Sequence, residues 1–524
     1  MDLNQLKNMS RTEAESYLQR AFHIDHFYDD QWTAIHALLQ GQRVLLVERT
    51  GFGKSLCYQF PAMLLDGVTI VLSPLIALMR DQTNKLNALG ITAACINSNN
   101  SREENLRIFK NTIAGKYKIV YITPERQDDP QWQEALIKIK FALLVIDEAH
   151  AISTWGHDFR PAFQRIVKYV LPLPQHQPVL ATTATATTFV QKDIAAQIQP
   201  GQPNPITVIR GPLIRQNFAL RVLRVQSEDD KLIWLAQHLP ETPGVGLIFV
   251  ATKEQTELYA TWLKSNGINA ASYNGGYDAG RRIQIEEGLM QNQYKCVVTT
   301  NALGMGLDKD DIRFIIHTQI PQSPIHYYQE IGRAGRDGRI AHIVLMFNEH
   351  RNNICGYEDC KLPYFFIESS CPPPATYQLV IDTLKKQPLK FTQLKELVQL
   401  KQNELMIILE NLRNQGIVVK HSDRTGSFYE YKQGAPALNV AYLEQIREHK
   451  LQDLRSMVKY VFTDKPRMQY LCAYLEDASL VNSCNCDNTD LPPLKLIPSQ
   501  EWRLKLQRFY TKFNAQKQAE DTPF

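Results

Sequence analysis

From about residue 40 to 350 the chain alternates short apolar runs with longer segments of helical periodicity. The first runs are 44-VLLVE-48, 69-TIVLS-73, 119-IVYIT-123, 143-LLVID-147 and 179-VLATTA-184. A second set comprises 246-GLIFV-250, 297-VVTTN-301, 314-FIIHT-318 and 342-HIVLMF-347. Near-continuous apolar runs bounded by turn residues and separated by helices predict parallel strands buried on both faces. Between the sets, 198-QPGQPNPITV-207 is rich in Pro and Gly and predicts the lead-in to a linker. The expectation is an α/β fold with two parallel-sheet domains in tandem, residues 1–205 and 206–350.

After residue 350 the pattern changes. Residues 351–375 read as a linker ending in the Pro-rich break 371-CPPPA-375. Helical segments near 377–386, 392–399 and 403–415 precede two β-rich runs, 417-IVVKH-421 and 428-FYEY-431, around the turn 423-DRTGS-427. Three helices and a two-stranded wing predict a winged-helix-like domain over 376–435. The third helix, 403-NELMIILENLRNQG-416, is largely apolar and lacks the basic face of a major-groove reader. Lys420, Arg424 and Phe428 make the wing the better DNA candidate. Residues 436–524 predict a helical hairpin broken at 464-DKP-466 and a final amphipathic helix from about 500 to 516.

Composition adds limits more than direction. The 524 residues are 44% hydrophobic and 21% charged, values of ordinary globular domains. A net charge of +4 is too mild to argue nucleic-acid binding alone. Nine scattered cysteines suit reduced thiols and no disulfide scaffold. The N-terminus shows no signal-peptide pattern, and no run reaches the roughly 20 apolar residues of a membrane span. The expected location is cytoplasmic, with nucleoid association if the source is bacterial.

The chemistry concentrates at strand ends. After the first strand comes 50-TGFGKS-55. Gly51 and Gly53 let backbone N–H groups turn around a polyphosphate, Thr50 opens the loop, Lys54 brings a cation to the β/γ-phosphates, and Ser55 offers a hydroxyl to Mg²⁺. Glu48 stands where the P-loop pattern has its first glycine. Asp147 and Glu148 end an apolar strand, which places one carboxylate beside the metal and a second near the attacking water. His150 follows. Upstream, in 27-FYDDQ-31, Gln31 is a candidate adenine reader through N6 and N7. The loop 153-STWGHDFRPAF-163 crowds Trp155, Phe159 and Arg160 together, a set suited to stacking on bases and touching phosphate.

The runs 51-GFGKSLCYQFPA-62, 73-SPLIALMRDQ-82, 147-DEAH-150, 153-STWGHDFRP-161, 182-TTATAT-187, 304-GMGLDK-309 and 327-YYQEIGRAGRDG-338 together resemble RecQ-type DNA helicases, in the family's order. The resemblance implies two RecA-like domains with ATP and Mg²⁺ in the cleft between them. It implies an ATP-dependent 3′–5′ DNA helicase of repair or recombination, acting on single-stranded DNA and on forked or tailed duplexes. Asp147 would organise the metal with Ser55, and Glu148 would activate water. Arg333 and Arg336, three apart and on one face if helical, would stabilise charge on the γ-phosphoryl. Ser73, Pro74 and Thr299, at strand ends, would grip DNA phosphates without reading bases. His150, Trp155, Phe159 and Arg160 would couple DNA binding to hydrolysis. Single-stranded-DNA-binding or repair proteins are possible partners.

The chain departs from the pattern in three places. Tyr28 stands where the family has Arg, and Arg49 where it has Pro before the phosphate loop. The family's zinc-binding cysteines are reduced to Cys484 and Cys486 in 483-SCNCDNTD-490, too few for a tetrahedral site, so no zinc is expected. The alternative reading is a DNA-dependent ATPase or translocase whose C-terminal module mainly binds a protein, with little unwinding.

Overall fold

The structure is a computed structural model that describes residues 3–153, 173–174, 176–199, 206–303, 309–423, 426–477, 485–496 and 499–520. The chain forms two compact units, each made of two stretches. One comprises 1–212 with 366–450, the other 213–365 with 451–524.

The first unit contains strands β1 (Arg43–Val47), β2 (Val68–Leu72), β3 (Ala93–Ile96), β4 (Ile119–Ile122), β5 (Phe141–Ile146), β6 (Val179–Thr183) and β7 (Thr207–Arg210). They pair in the order β3-β4-β2-β5-β6-β1-β7, every pairing parallel. Side chains alternate across a strand, and β1 shows the result. Val44 and Leu46 join one core with Ile35 and Leu38 of the helix Asp29–Leu39 and Phe60 of the helix Leu56–Leu64. Leu45 and Val47 join the opposite core with Ile194 and Ile198 of the helix Thr188–Ile198. Both faces are covered, so every position in the strand after Arg43 is apolar. The boundary expected at residue 205/206 falls one strand short. Thr207–Arg210 pairs with β1, Thr207 opposite Val44, and the first sheet therefore runs to residue 210.

The second unit contains β8 (Phe218–Val225), β9 (Val245–Phe249), β10 (Ala270–Tyr273), β11 (Cys296–Thr299), β12 (Ile312–His317) and β13 (Ala341–Asn348). Their order is β10-β11-β9-β12-β13-β8, again all parallel. Ile248, Val298, Ile316 and Met346 share a core with the helices Glu228–His238 and Lys253–Ser265. The final helix, Gln500–Glu520, closes this core from outside through Trp502, Leu506 and Phe509. Two polar contacts fix its position: Arg503 pairs with Asp230 at 3.1 Å, and the Tyr510 hydroxyl donates to Asp229 at 2.9 Å.

Residues 374–431 build a separate small core. Helices Pro374–Leu384, Phe391–Val398 and Gln402–Asn414 pack with a three-stranded antiparallel sheet of Leu389–Lys390, Val418–Asp423 and Gly426–Tyr431. The third helix buries Leu405, Ile408, Leu409 and Leu412 in that core, which accounts for its apolar character. The hairpin helices Val440–Phe462 and Arg467–Tyr474 are separated at Pro466, which cannot supply a helical N–H.

Candidate active site

The phosphate loop leaves β1 at Glu48 and enters the helix Leu56–Leu64. Gly51 and Gly53 adopt φ of +80° and +87°, a region that glycine enters at little cost. The Lys54 ammonium donates to the carbonyls of Glu48 at 2.8 Å and Arg49 at 3.1 Å, across the base of the loop. Glu48 fits the first-glycine position because its side chain turns away from the loop. It is buried against Gly211, where an added Cβ would stand 1.8 Å from Glu48 Oε1. Burial, then Asp30, pushes the Glu48 carboxyl up to about 8.

Asp147 follows the last residue of β5, and its N–H donates to Leu72 of β2 at 2.9 Å. The residue is not fully covered, and its carboxylate accepts from two hydroxyls, Thr182 at 2.8 Å and Ser73 at 3.3 Å. Burial, then the charge of Glu148, pushes this carboxyl up to about 6, against the pull of Thr182, Lys54 and Ser73. Glu148 sits at φ +53°, ψ +48°, a left-handed conformation costing a β-carbon-bearing residue of order 1 kcal/mol. His150 is buried, its Nδ1 3.1 Å from Thr183 Oγ1 and 3.3 Å from Glu148 Oε2. Two acids, a lysine and hydroxyl donors thus stand at the carboxyl ends of neighbouring strands. The residues fit a nucleotide-bound divalent cation: neutral hydroxyls orient the Asp147 carboxylate, and a second acid, Glu148, adjoins it.

Other expected positions fall differently. Ser73 is buried and gives its hydroxyl to Asp147, while Pro74 beside it is partly accessible. Thr299 is buried at the end of β11 and donates to the Thr300 carbonyl at 2.7 Å. Gln31 is buried at the start of its helix. The helix carrying 327-YYQEI-331 ends at Ile331, so Arg333 and Arg336 stand in the turn beyond it and not on one helical face. Gly335, at φ +57°, makes that turn. Arg215, which no motif contains, holds it by donating to the carbonyls of Ala334 at 2.8 Å and Gly335 at 3.0 Å. Thr182 likewise escaped the motif reading as a partner of Asp147. Trp155, Phe159 and Arg160 lie outside the described residues.

The model of the DEAD/DEAH box helicase family matches residues 28–193, and that of the helicase conserved C-terminal domain matches 230–338. The ATP-dependent DNA helicase RecQ of Bacillus subtilis is 37% identical over 361 residues, spanning 68% of this chain and 58% of that protein. The probable ATP-dependent DNA helicase RecS of the same organism is 36% identical over 337 residues, spanning 64% of this chain and 67% of RecS. The chain belongs to the RecQ family of DNA helicases. It thus matches a little over half the length of the Bacillus subtilis RecQ protein. Solved structures share the fold at low identity. The Mycobacterium smegmatis helicase Lhr bound to single-stranded DNA and AMP-PNP superposes at a TM-score of 0.53 with 19% identity, covering 83% of this chain and 61% of Lhr. The Saccharomyces cerevisiae protein Dbp5 bound to RNA and ADP BeF3 gives 0.54 and 19%, covering 67% of this chain and 90% of Dbp5.

Of the two cysteines that bear on the zinc expectation, the structure describes Cys486. No cluster of three His, Cys, Asp or Glu able to hold an ion occurs among the described residues, and Cys484 lies outside them. Cys486 is buried, with Sγ 3.4 Å from Thr489 Oγ1. The segment is instead laid along the free edge of β8. Leu220 N–H donates to Asn485 O at 2.9 Å, Asp487 N–H to Leu220 O at 3.1 Å, and Val222 N–H to the Asp487 carboxylate at 2.8 Å. Arg467 grips the same carboxylate with two nitrogens and donates to Tyr460 O at 2.9 Å. The Asn488 amide donates to Thr463 O at 2.7 Å and Lys465 O at 2.8 Å, closing the hairpin turn. This protein-only clasp covers a sheet edge that would otherwise present unpaired backbone groups.

Proposed function

We propose that this RecQ-family chain is an ATP-dependent DNA helicase that couples Mg²⁺-ATP hydrolysis to 3′–5′ movement on single-stranded DNA and to duplex opening, in repair or recombination. The observation that carries the reading is Asp147, set between the hydroxyls of Ser73 and Thr182 beside Lys54, with Glu148 next in the chain. When bound, Mg²⁺ would draw charge from the phosphates. Ser55 and Asp147 would hold it, and Lys54 would bind the β/γ-phosphates. Glu148 would accept the proton of the attacking water. Arg333 and Arg336 would stabilise the γ-phosphoryl charge, and Arg215 would keep their turn in shape. Ser73 acts through Asp147 in this reading, which leaves Pro74 and Thr299 as strand-end candidates for contact with the DNA backbone.

No described helix is long and apolar enough to cross a membrane, and the chain is read as cytoplasmic. The clasp on β8 supports a fold that needs no zinc. The test is strand release from a forked duplex, with and without ATP, by the full chain and by Lys54→Ala. Release that needs ATP and Lys54 is expected. DNA-stimulated hydrolysis without release would replace the helicase reading by that of a translocating ATPase with a protein-binding C-terminal module.

A further inference from the structure

The turn that carries Arg333 and Arg336, with the helix before it, is tied to both ends of β12. At the amino end, the Gly335 N–H donates to Ile312 O at 2.9 Å. At the carboxyl end, His317 Nε2 lies 2.7 Å from Oε2 of Glu330, in the last turn of the helix Pro324–Ile331. The Arg333 N–H donates to the Glu330 carbonyl at 3.3 Å, so the arginine turn departs from Glu330.

Neither member of this pair is favoured by its own surroundings. His317 is buried. Its ring stacks on Phe249, its neighbour across the sheet, at 4.9 Å and 11°, and meets the Tyr327 ring edge-on at 5.1 Å. A phenyl ring would fill that slot with no polar group to satisfy. The imidazole instead leaves Nδ1 buried with no hydrogen-bond partner among the described residues. Glu330 is largely covered and puts an acid in the last turn of a helix, where the backbone dipole favours cations. What each gains is the other: with Glu330 ionised, Nε2 donates a charge-assisted hydrogen bond. Two residues that break local rules only to satisfy each other point to a task beyond local stability.

We propose that the His317–Glu330 bond positions the arginine turn for hydrolysis. It fixes the last turn of the helix on the end of β12, and so sets where Arg333 and Arg336 stand when they meet the γ-phosphoryl. Both are positioning residues and touch no substrate. The inference rests on the proposed role of the two arginines. Guanidiniums that answer charge developing in the transition state are felt in kcat, not in ground-state binding. Loosening their anchor is felt there too, and a displacement of about 1 Å costs on the order of a hundredfold.

The test is DNA-stimulated ATP hydrolysis by the full chain, beside thermal unfolding and binding of the fluorescent probe mant-ADP with Mg²⁺. His317→Phe keeps the ring contacts and removes the donor. It should lower kcat by about ten- to a hundredfold, with KM for ATP and mant-ADP affinity within about threefold of wild type. His317→Gln, which supplies an amide donor, should restore most of the loss. In an Arg333→Ala/Arg336→Ala background, read by single-turnover hydrolysis, His317→Phe should cost no further rate, because the arginines it acts through are gone. Unchanged kcat in His317→Phe overturns the proposal, as does an equal further loss in the arginine-free background. A fall that His317→Gln does not recover, or that comes with a matching loss of mant-ADP affinity and unfolding midpoint, also overturns it and leaves a structural role. Where His317→Phe does not fold, Glu330→Ala carries the same comparison, with Glu330→Gln as its conservative partner. Wild-type kcat in Arg333→Ala/Arg336→Ala overturns the arginine reading and the proposal with it. A lost kcat there beside an intact His317→Phe overturns the proposal alone.

Discussion

Each parallel sheet has an aspartate set deep at its carboxyl edge, and the two are partnered in opposite ways. Asp147, in the first unit, accepts from two neutral hydroxyls and stands between the acid Glu148 and the pull of Lys54. Asp359, in the second, is fully buried. It accepts the Lys231 ammonium at 2.6 Å and the Asn348 N–H at 2.9 Å. Lys231 is equally buried and also donates to Thr318 O at 2.6 Å. Burial disfavours its ammonium, but the attraction of Asp359 and Glu228 outweighs this and holds its pKa above the ordinary lysine value, while burial pushes the Asp359 carboxyl up to about 7 against the pull of Lys231. One acid is bonded directly to a buried ammonium; the other is held by hydroxyls, with Lys54 acting through its charge. Depth alone does not mark a functional carboxylate. The chemistry of its partners does.

The largest effect that could break the comparison concerns turnover. Asp147→Asn should lower ATP hydrolysis by about a thousandfold, since a contact to a catalytic cation is worth several kcal/mol and each factor of ten about 1.4. Near-normal turnover in steady-state assays would place the metal elsewhere. Next in size is the structural pair. Lys231→Met leaves Asp359 buried without its cation and should cost about 3–5 kcal/mol of stability, with much of the loss recovered in Lys231→Met/Asp359→Leu. Equal unfolding midpoints for wild type and Lys231→Met would erase the contrast. The clasp on β8 should show the smallest effect. Arg467→Met strips the largely buried Asp487 carboxylate of its cation, but the carboxylate keeps the Val222 N–H. A loss of about 2 kcal/mol is expected from chemical unfolding, with no change when a zinc chelator is present.

The central strands were legible as continuous apolar runs, because a strand covered on both faces has no polar side to show. Four strands were not: β3, β7, β8 and β10. They are the edges of the two sheets. β3 and β10 are four-residue strands rich in small side chains, AACI and AASY, β7 is largely uncovered, and β8 reads 218-FALRVLRV-225, with arginines that blur the apolar run. The winged-helix-like segment was visible because turn residues and helical periodicity delimit it, although its two-residue strand Leu389–Lys390 was too short to register.

The candidate site was legible where its residues adjoin in sequence, as in 50-TGFGKS-55 and 147-DEAH-150. What joins them was not. Thr182 reaches Asp147 from 35 residues away, and Arg215 reaches the Arg333 turn from well over a hundred. Gln31 shows the complementary limit. Its type suits base reading, and only the structure shows that its amide also bonds the Phe52 and Gly53 carbonyls of the phosphate loop.

Thermal unfolding of wild type, Asp147→Asn and Asp359→Asn, with Mg²⁺ and with or without ATP, tests the contrast most directly. The Asp147 carboxyl is held above its unfolded value, so at pH 7 its charge opposes folding, and the opposition fades as pH falls through about 6. Asp147→Asn should therefore unfold no earlier than wild type without nucleotide, and should lose the rise in midpoint that Mg²⁺-ATP gives wild type. Asp359→Asn should unfold earlier under all conditions and keep that rise. An Asp147→Asn protein that unfolds as early as Asp359→Asn, or that keeps the full nucleotide-dependent rise, would contradict the assignment of Asp147 to a bound cation.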